Sequence, residues 1–154
     1  MLFRSRIVRL PFEPMMRIAL AEARTSLAEG NKGYGAVAVL GERVLARAHD
    51  TGVVAGDPSL HAELNAIRAA TAELGDGNLA GVVLFSTCEP CPMCAALAVW
   101  ANVSAIVFGA SIEETAAQGR TRIMLPVREL VARSPVMMEV YGGVLREECL
   151  ELYR

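Results

Sequence analysis

Lysine is nearly missing from this chain: of fifteen basic residues only Lys32 is a lysine, and the formal net charge is −2. A protein that lives on nucleic acid usually carries a basic domain or stripe, so the bulk charge argues against that partner. Cysteine is scarce as well. Cys88, Cys91, Cys94 and Cys149 have neither the density nor the even spread of a secreted disulfide framework, and a reducing cytoplasm is the expected setting. The opening MLFRSRIVRLPF has Arg4, Arg6 and Arg9 but no acid. That faintly resembles a transit peptide, yet Pro11 cuts it short, so residues 1–12 are expected to form a solvated N-terminal arm.

Repeats, low-complexity runs and linkers are also lacking, and 53% hydrophobic content in 154 residues suits one compact domain over 1–154. From Pro90 to Ile112 no residue is charged, a length that suggests a membrane span. Asn102, Ser104 and Gly109 interrupt it, and its period changes midway from helical to strand-like. It therefore reads as a buried helix followed by a buried strand, with no transmembrane span.

What is present is a series of short periodic segments. Residues 13–29 place Met15, Ile18, Ala19, Leu20, Ala23 and Leu27 on a helical stripe closed by Gly30. GAVAVL and RVLARAH, split by Gly41-Glu42, predict a hairpin. The stretch from Asp57 predicts a helix with Asp57 as N-cap and Pro58 in its first position. GVVLFST and SAIVFGA read as buried strands, with a helix opening just after Pro90 between them. Further on, a helix is expected around 127–132, a strand around 136–140 and a last helix over about 144–153. Strands alternating with helices after a hairpin predict a mixed sheet covered on both faces.

Two clusters carry chemistry: His61 with Glu63, and Cys91 with Cys94. Cysteines three apart on a helix share a face, so both sulfurs can meet one ion, and a helix N-terminus stabilises thiolate through its unpaired N–H groups and dipole. His61 supplies a third ligand. Three protein ligands leave a tetrahedral zinc one open position, the mark of a catalytic site. Glu63 lies two residues past His61, about 200° round an ideal helix, so the two converge only if the metal lies beyond the helix end. From there the Glu63 carboxylate reaches the reacting centre without being a ligand and serves as the proton shuttle. H-x-E followed by P-C-x-x-C is the order found in zinc deaminases.

Each residue also has a plainer reading. A C-x-x-C pair alone is often a structural zinc knuckle or a redox pair, but a redox pair leaves His61 and Glu63 unexplained. Cys88 is expected to be a small buried residue; as a fourth ligand it would close the site. Cys149 is expected in the core. His49 stands at a strand end, with a substrate role as the alternative. Trp100 is expected in the core or at a subunit interface rather than stacked on a base.

DPSLHAELNAIRAA and STCEPCPMCAALAVWANVSAIVFGA closely resemble the two zinc motifs of the cytidine deaminase-like superfamily, in the branch of guanine deaminases, cytosine deaminases and bacterial tRNA adenosine deaminases. The likeness runs from about Gly35 to Gly109 and more loosely beyond. It implies an α/β fold, a three-layer α/β/α sandwich with a five-stranded mixed sheet, assembled as a homodimer or larger. It implies Zn²⁺ held by His61, Cys91 and Cys94, Glu63 as the catalytic proton shuttle, and a backbone N–H of Ala62 that meets the substrate.

Pro92 and Trp100-Ala101 look more like guanine deaminases, while MEVYGGVLREECLEL is similar to the end of tRNA adenosine deaminases. Where the family commonly has P-F-G-A, this chain has Gly33-Tyr34-Gly35, which keeps a stacking aromatic and adds a hydroxyl. Asp50 stands where the resemblance leads to an Asn that reads the base. An ionised Asp only accepts, so a pocket lined by Asp50 favours a substrate edge rich in N–H donors; alternatively Asp50 caps its loop. The leading expectation is a deaminase of a free nucleobase or related heterocycle of the guanine, cytosine or aminotriazine type. The alternative is a tRNA adenosine deaminase, with Arg4, Arg6, Arg9, Arg120 and Arg122 as a track for phosphates. A non-catalytic zinc domain is the third class, and the presence of Glu63 opposes it.

Overall fold

A computed structural model describes residues 10–154. Arg4, Arg6, Arg9 and most of the expected N-terminal arm lie outside them. Leu10 already packs against the core, and the first helix begins at Phe12. The elements in chain order are α1 (Phe12–Ala28), β1 (Gly35–Leu40), β2 (Arg43–His49), α2 (Gly52–Ala55), α3 (Ala62–Leu74), β3 (Val82–Cys88), α4 (Pro92–Trp100), β4 (Ala105–Ala110), α5 (Ile112–Ala117), α6 (Val127–Ala132), β5 (Glu139–Tyr141) and α7 (Arg146–Glu151).

The five strands form one sheet in the order β2-β1-β3-β4-β5. β1 runs antiparallel to β2 and β3, whereas β3, β4 and β5 are parallel. The fold is therefore α/β with a mixed five-stranded sheet.

Alternation along the central strands explains why helices cover both faces. Ala36, Ala38, Val82, Leu84, Ile106 and Phe108 point to one face, which α3, α4 and α6 cover. Val37, Val39, Val83, Phe85, Ala105 and Val107 point to the other, which α1 and α7 cover. Strands buried on both faces read in sequence as unbroken apolar runs, which accounts for the uncharged stretch of 90–112. Among the described residues no helix is long and apolar enough to cross a membrane.

Three expectations change. The helix anticipated from Asp57 begins instead at Ala62, with His61 as its N-cap. Asp57 is spent on a turn, where its Oδ1 accepts from the Ser59 N–H at 2.9 Å and the Ser59 hydroxyl at 2.7 Å. The late strand is shorter, three residues instead of five, and pairs along one edge with β4. The short helices α2 and α5 were not anticipated, because neither is long enough to show a period.

Gly35 sets how closely α1 lies on the sheet. A Cβ there would sit 1.9 Å from the Ala19 carbonyl oxygen and 2.6 Å from the Ala23 nitrogen, both backbone atoms that cannot turn aside. Gly35→Ala is expected to cost about 2 kcal/mol or more in urea denaturation. Gly77→Ala, where a Cβ meets nothing within 4 Å, is expected to leave stability within about 0.5 kcal/mol.

Candidate metal centre

α3 and α4 both start at one end of the sheet, and each uses a would-be metal ligand as its N-cap: His61 for α3 and Cys91 for α4, both with extended backbone. Pro92 follows Cys91 in the first helical position, where a missing N–H costs nothing and the fixed φ suits the helix. Cys94 then lies one turn on, facing the same way as Cys91.

The Nδ1 atom of His61 is 3.5 Å from Cys91 Sγ and 3.7 Å from Cys94 Sγ, and the three ligand atoms lie within 4.8 Å of one another. A tetrahedral ion with ordinary Zn–S and Zn–N bonds sets nitrogen and sulfur about 3.6 Å apart. The three donors fit zinc in number, type and spacing.

Electrostatics agree. A hydrogen bond from the Cys94 thiol, helped by one with His61, holds the Cys91 thiol down to about 4, while the same sulfur contact and burial push Cys94 up. The hydrogen bond to Cys91 raises the His61 pKa against the opposing effect of burial.

Glu63, in the second position of α3, is 6% exposed. Burial, then the negative charge at Cys91, pushes its carboxyl up to about 6. Such a group can both take and return a proton near neutral pH. It borders a cavity of about 290 Å³ whose other walls include Tyr34, Pro58, His61, Cys88 and Arg122.

The remaining expected residues separate. Tyr34 lines the cavity; its ring lies 5.1 Å from that of Tyr153, and the Arg120 guanidinium sits 5.7 Å from its centre. Ala62 opens α3 and is fully buried; its N–H is one of those a helix start leaves unpaired. Asp50 is 2% exposed but does not line the cavity. Its Oδ1 accepts from the Gly52 N–H at 3.0 Å, its own N–H donates to the Tyr34 carbonyl and its carbonyl accepts from Ser26. Asp50 thus spends one carboxylate oxygen on capping its loop, while its charge still acts on His61.

His49 is held by Glu22 at 2.6 Å and Glu29 at 3.0 Å and takes no part in the cavity. Cys88 is buried beside Arg122 and Thr115, outside the ligand trio. Cys149 is buried in the core. Trp100, by contrast, is 78% exposed, so the core reading fails for it. It flanks a groove of about 480 Å³ formed with Val99, Leu125 and Leu130 and edged by Glu129, Arg133 and Ser134.

Two arginines offered for a phosphate track turn inward. Arg120 packs over Tyr34 and Tyr153 and donates to the Lys32 carbonyl at 3.0 Å. Arg122 donates from Nη1 to Cys88 Sγ and Thr115 Oγ1 and from Nη2 to the Glu89 carbonyl.

Glu89 was missed in the sequence. It is 6% exposed, and its two carboxylate oxygens accept from the N–H of Ile112 at 2.9 Å and of Val127 at 2.8 Å. One side chain thus ties the starts of α5 and α6 to the loop that presents Cys91. The only sequence signal was its place as the last charge before the uncharged run.

Residues 12–110 match the family described as the cytidine and deoxycytidylate deaminase zinc-binding region. The chain is 35% identical over 137 residues to the tRNA-specific adenosine deaminase of Bacillus subtilis, covering 89% of this chain and 83% of the relative. It is 36% identical over 86 residues to the guanine deaminase of the same organism, covering 56% and 55%. Among solved structures, a tRNA:A34 deaminase studied for A-to-I editing superposes with a TM-score of 0.80 at 30% identity, over 90% of this chain and 98% of the other. The guanine deaminase of Nitrosomonas europaea gives 0.80 at 25% identity, over 94% and 83%.

Glu89→Gln puts an amide NH₂ against one of two backbone N–H groups. Urea denaturation is expected to show a loss of about 3 kcal/mol, from one lost bond to a charged acceptor and one buried donor left unpaired.

Proposed function

The chain belongs to the cytidine and deoxycytidylate deaminase family of zinc-binding proteins, zinc-dependent hydrolytic deaminases among them, and from that premise we propose that it deaminates a purine ring, with the wobble adenosine of tRNA as substrate. The observation that carries the chemistry is the meeting of His61 Nδ1, Cys91 Sγ and Cys94 Sγ at two helix starts, with Glu63 buried at the same cavity. The similarity to tRNA-specific adenosine deaminases along most of both chains supports the substrate.

His61, Cys91 and Cys94 would hold zinc, which supplies Lewis acidity at the cavity floor. The Glu63 carboxylate takes a proton from the water that adds to the amine-bearing ring carbon. It returns one proton to the ring nitrogen and passes another to the departing amine, so that ammonia leaves and a carbonyl remains. Tyr34 offers an aromatic face for the base to stack on. The unpaired N–H at Ala62 is placed to donate to a ring acceptor. The two thiols stay reduced in a cytoplasmic setting.

A free purine as substrate is the second reading. The inward use of Arg120 and Arg122 favours it, since both guanidiniums bond to groups of the chain around the cavity instead of forming an outer track for phosphates. Guanine deaminases are also among the structural relatives, one of them solved with 8-azaguanine.

Ammonia release from zinc-loaded protein, measured with an anticodon stem-loop carrying the wobble adenosine and with free guanine and adenine, decides between them. Turnover of the stem-loop with inosine formed at that position is the expected result; turnover of free bases alone would reject the tRNA reading. Glu63→Gln is expected to reduce turnover about 10³-fold with zinc content unchanged. Wild-type turnover in that variant would remove Glu63 from the reaction.

A further inference from the structure

Arg122 is half-buried in the cavity wall and makes no direct ion pair with a carboxylate, although the charges of Cys88 and Glu63 act on it. Among the described residues no Asp or Glu lies within ion-pair distance of it. A guanidinium carries five N–H donors and accepts nothing. Three bonds are made within the chain, two from Nη1 and one from Nη2, to Thr115, Cys88 and the Glu89 carbonyl. The Nε–H and one Nη2–H remain without a partner among the described residues. A cation at a cavity wall gains from acceptors that meet it there, and a ligand that displaces water from the cavity can supply them.

Resting on the purine reading above, we propose that Arg122 is a specificity-determining residue that donates its two free N–H groups to acceptor atoms of the substrate ring. The cavity then takes a heterocycle whose edge beside the reacting amine presents ring-nitrogen lone pairs or a carbonyl oxygen. It turns away a ring that offers only donors there, because such a ring leaves the guanidinium unmet and sets N–H against N–H. This is the opposite of the preference that an Asp50-lined pocket would give; Asp50 spends one oxygen on its loop, while Arg122 lines the cavity. Three internal bonds fix the fork before a ligand arrives, so little rotamer freedom is lost on binding.

The test uses zinc-loaded wild type, Arg122→Met and Arg122→Lys, with hypoxanthine as the equilibrium probe because its O6 and N7 are both acceptors. Titration calorimetry on folded protein of verified zinc content is expected to show Arg122→Met binding hypoxanthine about 10- to 100-fold more weakly. Arg122→Lys is expected to fall in between, having the charge but not the fork. In turnover the same loss appears in KM. Unchanged hypoxanthine affinity in Arg122→Met overturns the proposal. So does a lowered unfolding midpoint with affinity per folded, zinc-loaded molecule intact, since Arg122 would then support the loop and nothing else. If zinc-loaded wild type binds no hypoxanthine at all, this inference is overturned, while the purine reading stands or falls separately on turnover of the stem-loop.

Discussion

Two helix starts aimed at one point are the constraint that the rest of this chain serves. The N–H groups that α3 and α4 leave unpaired, and the positive ends of their dipoles, favour thiolate at Cys91 and Cys94 and a carboxylate at Glu63. Neither helix could be placed this way alone. β3 delivers Cys88 to the loop before α4, and the hairpin β1-β2 delivers the chain to the loop before α3. The antiparallel pairing of β1 with β3 then brings both loops to the same end of the sheet. Parallel pairing of β3 with β4 returns the chain after α4 to that end once more, where the segment carrying Arg122 forms a further wall.

The polar groups around this point are used with little left over. Glu89 spends its carboxylate on two helix starts and its carbonyl on Arg122. Asn65 donates to the carbonyls of His49 and Leu60 and to the Thr51 hydroxyl, which pins the loop leading into His61. Thr87 accepts from the Gly35 N–H and pairs with the Tyr153 hydroxyl, so the chain's penultimate residue braces Tyr34 from behind. A wall fixed in this way is preorganised, so a ring that entered the cavity would meet groups that need not be reorganised. Against that background, a side chain with unspent donors at the cavity is informative.

Much of this was legible before any coordinates. The apolar runs of β3 and β4, the hairpin and the helix over 127–132 follow from local periodicity, which records burial on one or both faces. His61, Glu63, Cys91 and Cys94 announced themselves because few physical reasons other than a metal place those residue types at those spacings. Sequence reasoning failed where a polar residue has two good uses. Asp57 is a competent cap and was assigned to a helix where it caps a turn, while the sequence leaves Asp50 open both to reading a base and to capping its loop.

What the sequence by itself determined is the pair of local motifs that carry His61, Glu63, Cys91 and Cys94 and the alternation of buried strands with helices, because each is encoded within a few residues. What only the tertiary structure decided is which polar side chains face the cavity. Asp50, His49 and Arg120 turned out to serve the scaffold, and Glu89, Tyr153 and Arg122 were placed by contacts with residues 23 to 119 positions away. A side chain's direction at a loop is set by whichever distant backbone group claims its hydrogen bonds, and no local pattern records that choice.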